Sequence, residues 1–130
     1  MKKYYIDTNI ILRYILKDDL ALWDKAKNYF LSAKNQQIKI VLIPEIIIEV
    51  EYVLRKKYKQ NRNIITRCLY YFIQTSYFDL TNRTILQNAL LAYIKTNIDL
   101  VDLYLFFIAN SNNAEVLSFD KDFKKLQKLV

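Results

Sequence analysis

The sequence predicts an α/β protein of three layers, in which helices cover both faces of a short, mostly parallel sheet. Short β-rich runs alternate with longer helical segments along the chain, and this alternation implies crossover connections between parallel strands. No internal repeat, low-complexity tract or linker rich in Pro, Gly or Ser divides the 130 residues. We therefore expect a single domain that covers residues 1–130.

The first half of the chain begins with KKYYI, residues 2–6, a predicted buried strand that leads directly into the apolar period of a first helix. A second amphipathic helix is predicted over 18–35. The run QIKIVLI, residues 37–43, is short and β-rich. Pro44 then stands at its favoured position in the first turn of a helix predicted over 44–59.

The second half continues the same alternation of helices and strands. Helical patterns cover 61–76, 82–97, 101–111 and 120–129. Strands are predicted for YFDL, residues 77–80, and for EVLSF, residues 115–119. The last predicted strand is followed at once by Asp120.

Composition excludes several kinds of site. The chain has no glycine, which excludes the glycine-rich loops that bind dinucleotides or cradle phosphates. It has no histidine, which excludes a histidine base, a Ser/His/Asp triad and zinc bound by histidine. Its one cysteine, Cys68, lies in an apolar run and is expected to be a buried thiol in a reducing compartment. We expect a cytoplasmic protein, because the first residues form a poor signal peptide and no apolar run could span a membrane.

The formal net charge is +7, from 20 Lys and Arg against 13 Asp and Glu. Basic domains often bind polyanions, because neutralising phosphates releases condensed counterions. An A/T-rich coding sequence would equally explain the many Lys, Asn, Ile and Tyr residues and the missing glycine. Charge alone therefore does not decide between these two interpretations.

Four carboxylates occupy informative positions. Asp7 and Asp120 each follow a predicted strand, and parallel strands would bring both to the same edge of the sheet. Glu49 and Asp102 lie in otherwise apolar helices, where an ionised group needs a partner or a cation. Glu51 points about 200° away from Glu49 around the helix, so one of the two is expected to face solvent. Four converging carboxylates without histidine or cysteine would form an oxygen site, which favours Mg²⁺ or Mn²⁺.

Each acid also has a purely structural interpretation. Asp7 stands at a strand-to-helix turn, where aspartate commonly caps the helix. Asp99 could cap the helix that contains Asp102, and Asp120 could cap the last helix. Each of these interpretations stays open when its residue is considered alone. Together they do not explain the joint pattern of two strand-end acids and two acids in apolar helices.

Four segments of the chain form an ordered set: YYIDTNIILRYIL, IPEIIIEVEYVLRKKY, DLVDLYLFFIA and VLSFDKDFKKL. In their order, spacing and acidic residues they resemble the PIN-domain ribonucleases, in particular the VapC-type toxins of bacterial toxin–antitoxin pairs. The resemblance covers nearly the whole chain and implies a PIN-like fold. It implies that the catalytic and metal-binding acids are Asp7, Glu49, Asp102 and Asp120. It further implies that these carboxylates are oriented or bordered by Asn9, Ser118 and Asp99.

The resemblance implies a Mg²⁺- or Mn²⁺-dependent endoribonuclease that hydrolyses RNA, the toxin of a type II toxin–antitoxin pair. Because such a cation activates water itself, this hydrolase needs no histidine base. The implied partners are RNA, a small antitoxin protein and a second copy of the chain in a homodimer. The candidate contacts to RNA or to a partner are basic: Arg13, Arg55, Lys56, Lys57, Lys59 and Arg62. Residues 55–62 are alternatively a solvated helix end.

The sequence leaves three other functions to compare with this one. The chain could be a PIN-domain nuclease of RNA processing rather than a toxin, or a catalytically silent PIN module that binds RNA or an antitoxin. A haloacid-dehalogenase-like phosphatase also places an aspartate after its first strand. It requires a second aspartate two residues later, where this chain has Asn9.

Overall fold

The computed structural model describes residues 1–129 and shows an α/β fold of three layers around a parallel sheet, as the sequence predicts. Its strands are β1 (Lys2–Tyr5), β2 (Ile38–Leu42) and β3 (Phe78–Leu80). Its helices, in chain order within these residues, are α1 (Thr8–Leu16), α2 (Leu20–Lys34), α3 (Pro44–Lys56), α4 (Arg62–Gln74), α5 (Arg83–Lys95), α6 (Leu100–Ser111) and α7 (Asp122–Gln127).

The sheet has the strand order β1-β2-β3, and both pairs of strands are parallel. Tyr4 of β1 lies opposite Ile40 of β2, which in turn lies opposite Phe78 of β3. Successive side chains of a strand point to opposite faces of the sheet. Since Ile40, Val41 and Leu42 are all buried, the helices cover β2 from both sides.

The helices begin where local sequence favours a start. Asp7, Asp19 and Asn61 cap α1, α2 and α4, each accepting a hydrogen bond from a backbone amide of the first turn. Pro44 begins α3, where its missing N–H group costs no hydrogen bond. None of the helices between residues 1 and 129 combines the length and the apolar character that a membrane crossing requires.

The core contains an aromatic cluster that joins the sheet to two helices. The ring of Phe78 on β3 lies 5.2 Å from that of Phe30 on α2 and 5.7 Å from that of Phe72 on α4. At the end of the chain, the buried side chain of Leu126 anchors α7 to the same core. The fold is therefore held by residues from the first, middle and last thirds of the sequence.

The prediction that Lys2–Ile6 forms a buried strand is wrong in one respect. A strand forms at Lys2–Tyr5, but Tyr5 is 69% exposed and only Tyr4 within β1 is partly buried. The physical reason is the position of β1 in the sheet. In the part of the chain that the structure describes, β1 pairs with β2 alone and is an edge strand.

The predicted strand 115–119 does not form. These residues have no regular secondary structure, and the side chains of Leu117 and Phe119 are fully exposed. Local β propensity favours an extended backbone, but a strand also needs a neighbour that completes its hydrogen bonds. Among residues 1–129 no strand pairs with this segment, so Asp120 follows an irregular segment rather than a strand.

Candidate active site

Asp7 lies at the carboxyl end of β1 and is exposed to solvent. Its Oδ1 atom accepts a hydrogen bond of 3.1 Å from the backbone N–H of Ile10, so it caps α1. The capping interpretation of this residue is therefore confirmed. The cap uses one carboxylate oxygen, and Asp7 also lines the wall of an open groove beside β1 together with Asn9.

Glu49 lies on the same side of the molecule as the end of β1, because Thr8 joins the two. The Thr8 hydroxyl donates a hydrogen bond of 2.6 Å to Oε2 of Glu49. Glu49 is exposed, so the argument that this carboxylate is expensive to bury does not apply to it. A solvated position is compatible with a ligand, since an exposed carboxylate is accessible to a cation.

The buried member of the glutamate pair is Glu51, which is 2% exposed. Its carboxylate accepts hydrogen bonds of 2.8 Å from Nε of Arg55 and 2.8 Å from the hydroxyl of Tyr93. Burial, followed by the hydrogen bond to Glu51, raises the pKa of Tyr93 well above its ordinary value. The charge of the Glu51 carboxylate is thus compensated by Arg55 and Tyr93, and this group is not available to a ligand.

Asp102 is partly buried in the first turn of α6 and has acidic neighbours. Burial raises the pKa of its carboxyl, and the negative charges of Asp99, Asp120 and Asp122 raise it further. The residue is therefore surrounded by like charges, an arrangement that a cation would stabilise. Asp99, Asp102 and Asp120, which the sequence had placed at the site, are brought to the same end of α6.

Asp120 lies one residue before Lys121, the N-cap residue of α7, which makes no side-chain cap bond. The Oδ1 atom of Asp120 accepts a hydrogen bond of 2.9 Å from the backbone N–H of Asp122 at the start of α7. The N–H of Asp120 donates a bond of 2.9 Å to the hydroxyl of Ser118. Ser118 therefore contacts Asp120, one of the predicted site acids, through the backbone N–H of that residue rather than through its carboxylate.

The structure thus joins Glu49 to the residue that follows Asp7, and brings Asp120 near Asp102. Within residues 1–129, no three acidic or cysteine side chains lie close enough to hold one metal ion. In chemistry the donors fit Mg²⁺ or Mn²⁺, since all are carboxylate oxygens. In geometry the four carboxylates do not form one site.

The arginines that the sequence singled out are engaged by protein groups. Arg13 donates to Asp18 at 2.9 Å and to the hydroxyl of Tyr58 at 3.2 Å. Arg55 bonds to Glu51, and its Nη2 atom lies 3.8 Å from Oδ1 of Asp99. Arg55 therefore links α3 to the acidic start of α6.

Arg62 supports the fold at the loop between α5 and α6. Its guanidinium donates to the carbonyl oxygens of Tyr93 and Ile98, at 2.8 and 2.7 Å, and lies 3.6 Å from the centre of the Tyr93 ring. The remaining cations of the run, Lys56, Lys57 and Lys59, are exposed. They are the members of this basic set with free access to a polyanion.

The sequence interpretation missed two positioning residues, Thr8 and Tyr93. Thr8 could have been found, because it stands next to Asp7 in the Asp-Thr-Asn triplet and one of these residues had to cap α1. Nothing in the sequence marks Tyr93 as a partner of Glu51, because the two are 42 residues apart and one lies in an apolar helix.

Comparison with known proteins gives one match. Residues 4–129, nearly the whole chain, match the family model described as PIN domain. The searches of curated proteins and of solved structures return no match.

Proposed function

The chain belongs to the PIN domain family, and from this premise we propose that it is a Mg²⁺- or Mn²⁺-dependent endoribonuclease. PIN domains are generally nucleases, that is, hydrolases of phosphodiester bonds. The finer assignment to RNA rests on the four segments that resemble PIN-domain ribonucleases. The products would carry 5′-phosphate and 3′-hydroxyl ends.

One observation carries this proposal: two exposed carboxylates, those of Asp7 and Glu49, are linked at the carboxyl end of β1. The link is Thr8, the residue after Asp7, whose hydroxyl donates a hydrogen bond to Glu49. In folds with parallel sheets, sites form at the carboxyl ends of the strands. A second acidic group, Asp102 and its neighbours, stands at the start of α6. Both groups consist of the ligands that hard divalent cations prefer.

Asp7, Glu49, Asp102 and Asp120 are the residues that would hold one or two cations. When bound, a divalent cation supplies activated water and neutralises charge at the phosphate. Thr8 would orient the Glu49 carboxylate through its hydrogen bond. The exposed Lys56, Lys57 and Lys59 would contribute attraction for the RNA backbone.

We further propose that the protein is the toxin of a type II toxin–antitoxin pair, acts in the cytoplasm and forms a homodimer. A small antitoxin would cover the acidic groups and neutralise the nuclease. Apolar side chains on α5 and α6, among them Leu91 at 58% and Val101 at 50% exposure, supply surface for a protein partner. An adjacent open reading frame for a small antitoxin would favour this role over one in RNA processing.

The test of the nuclease proposal is cleavage of total RNA and of single-stranded oligonucleotides by the purified protein, with Mn²⁺ or Mg²⁺ and then with EDTA. An Asp102→Asn variant, purified in parallel, controls for contaminating nucleases. We expect cleavage by the wild-type protein alone and its loss in EDTA. Cleavage that persists in EDTA, or that the variant retains in full, would contradict the proposal.

A second candidate function is a catalytically silent PIN module that binds RNA or an antitoxin. The arrangement of the acids favours it, because no three of the described acids lie close enough together to hold one ion. Binding of RNA without cleavage at any Mn²⁺ concentration would identify this function.

A further inference from the structure

The exposed side chains of α3 form a single stripe along the helix. They are Glu45, Glu49, Tyr52 and Lys56. Residues three or four apart are neighbours on one face of a helix, because 3.6 residues make one turn. The rise of about 1.5 Å per residue places Tyr52 about 4.5 Å and Lys56 about 10 Å beyond Glu49 along the helix axis. The stripe therefore passes from acidic to aromatic to basic.

Tyr52 is an isolated aromatic side chain that is 55% exposed. Its exposure alone needs no explanation, because apolar atoms make up more than half of an ordinary protein surface. Its neighbours along the stripe are what distinguish it: Glu49 is a proposed metal ligand, and Lys56 is an exposed cation at the end of α3. An apolar protein partner would have to bury both charges together with the ring. A nucleotide fits this order of groups, because it joins a planar base to a charged phosphate.

Arg55 supports the Tyr52 ring from one side. Its guanidinium carbon lies 5.7 Å from the centre of that ring, within the range of a cation–π interaction. Arg55 is fixed in turn by the buried carboxylate of Glu51, which accepts a hydrogen bond of 2.8 Å from its Nε atom and another of 2.8 Å from the hydroxyl of Tyr93. The exposed ring is therefore connected to a buried network. A side chain that is already ordered loses less conformational entropy when a ligand binds to it.

We propose that Tyr52 is a stacking residue that binds an unpaired RNA base beside Glu49. Arg55 lies over one face of the ring, and the base stacks on the part of the ring that is exposed. Lys56 pairs with a neighbouring phosphate of the same strand. Stacking of bases on aromatic side chains is a general way in which proteins bind single-stranded RNA. The inference deepens the proposed function and rests on it for RNA as the substrate.

The consequence is a requirement for unpaired RNA at this position. A base inside a duplex is covered on both faces by its neighbours in the stack, so it cannot lie on Tyr52 without being unstacked. Loops and single strands offer bases that are free to do so. Stacking itself accepts any base, because every base has a π face. Tyr52 therefore selects the structural class of RNA and not the sequence that is cut.

The test compares Tyr52→Ala with Tyr70→Ala. Tyr70 lies on α4 and is 54% exposed, so the two variants remove the same side chain from equally exposed positions. The probes are a labelled single-stranded RNA of mixed sequence, the same strand annealed to its complement, and a chain of equal length with abasic spacers throughout. Binding is measured by fluorescence anisotropy with Ca²⁺ in place of Mn²⁺, and electrophoresis checks that the RNA stays intact. Melting temperatures check that the variants fold.

We expect Tyr52→Ala to weaken binding of the single strand by about tenfold to a hundredfold, the usual effect of removing a stacking residue. Tyr52→Phe keeps the ring and should bind as tightly as the wild-type protein, and so should Tyr70→Ala. On the duplex and on the abasic chain, Tyr52→Ala and the wild-type protein should bind equally, because neither probe offers a free base.

The proposal is overturned if the wild-type protein does not bind the single strand, or if Tyr52→Ala binds it as tightly as the wild-type protein does. An equal loss in Tyr70→Ala, in Tyr52→Phe or on the abasic chain also contradicts stacking on this ring. Since binding is measured without cleavage, the two proposals fail separately. Binding that depends on Tyr52 in a protein that does not cleave RNA in Mn²⁺ supports stacking and contradicts the nuclease. Cleavage together with binding that is independent of Tyr52 does the reverse.

Discussion

The hydroxyl of Thr8 donates a hydrogen bond of 2.6 Å to the carboxylate of Glu49, across 41 residues of sequence. It joins the first turn of α1, directly after β1, to the middle of α3. Since Glu49 is exposed, this bond and not burial orients its carboxylate toward the edge of the sheet. Thr8 is therefore a positioning residue for a proposed metal ligand.

We expect Thr8→Val to weaken Mn²⁺ binding by about tenfold to a hundredfold, the usual cost of losing a group that orients a ligand. Valine matches the shape of threonine but cannot donate the hydrogen bond. Binding is measured by titration calorimetry, with the melting temperature as a check on folding. Thr8→Ser restores the hydroxyl and should restore the affinity. Equal weakening in both variants would show that the hydroxyl plays no part.

Asp7→Asn should abolish Mn²⁺-dependent RNA cleavage and leave the fold intact. Asparagine caps a helix as well as aspartate does, so the bond from the Ile10 N–H survives while the negative charge is lost. Asp19→Asn is the matched control, because Asp19 caps α2 through the same contact with Leu22 at 3.1 Å. Activity is read from cleavage of labelled RNA. Full activity in Asp7→Asn would remove this residue from the proposed metal site.

Glu51→Ala should lower the free energy of unfolding by about 3 kcal/mol, because it leaves the Arg55 guanidinium and the Tyr93 hydroxyl without their shared partner. Urea denaturation followed by circular dichroism measures the change. Glu45→Ala, at an exposed position on the same helix, should alter stability by no more than about 0.5 kcal/mol. Similar losses in the two variants would mean that the buried network contributes little.

Replacing Lys56, Lys57 and Lys59 together by alanine should weaken RNA binding and make it less dependent on salt. For single-stranded RNA, the slope of log affinity against log salt should fall in magnitude by about 2 if all three contact phosphates. The comparison is with alanine at Lys25, Lys27 and Lys34, three exposed cations of α2. An equal change in both triple variants would indicate general attraction to a basic surface rather than a defined path.

The thiol of Cys68 should react slowly with a disulfide reagent in the folded protein. The side chain is partly buried, and burial raises the pKa of the thiol above its ordinary value. At pH 8 the folded protein therefore holds less of the reactive thiolate than the unfolded chain does. Reaction rates are compared with and without denaturant. A native rate equal to the denatured rate would contradict the assigned burial.

Most of the fold could be predicted because its signals are local. Helical periods, the cap at Asp7 and the proline at the start of α3 depend on neighbouring residues, and all correspond to observed helix starts. The β-rich runs before α3 and α5 also form strands. The run 115–119 has the same local preference but no strand, because a strand depends on a partner that lies elsewhere in the sequence.

By itself, the sequence determined which groups are available for chemistry: carboxylates without histidine, on an α/β chain of the PIN domain family. Only the tertiary structure decided how they are used. It shows Glu51 buried against Arg55 and Tyr93, leaves Glu49 exposed beside Thr8, and brings no three of the described acids together at one metal site. The physical reason is that burial and pairing arise from contacts between residues distant in the chain, which no local pattern encodes.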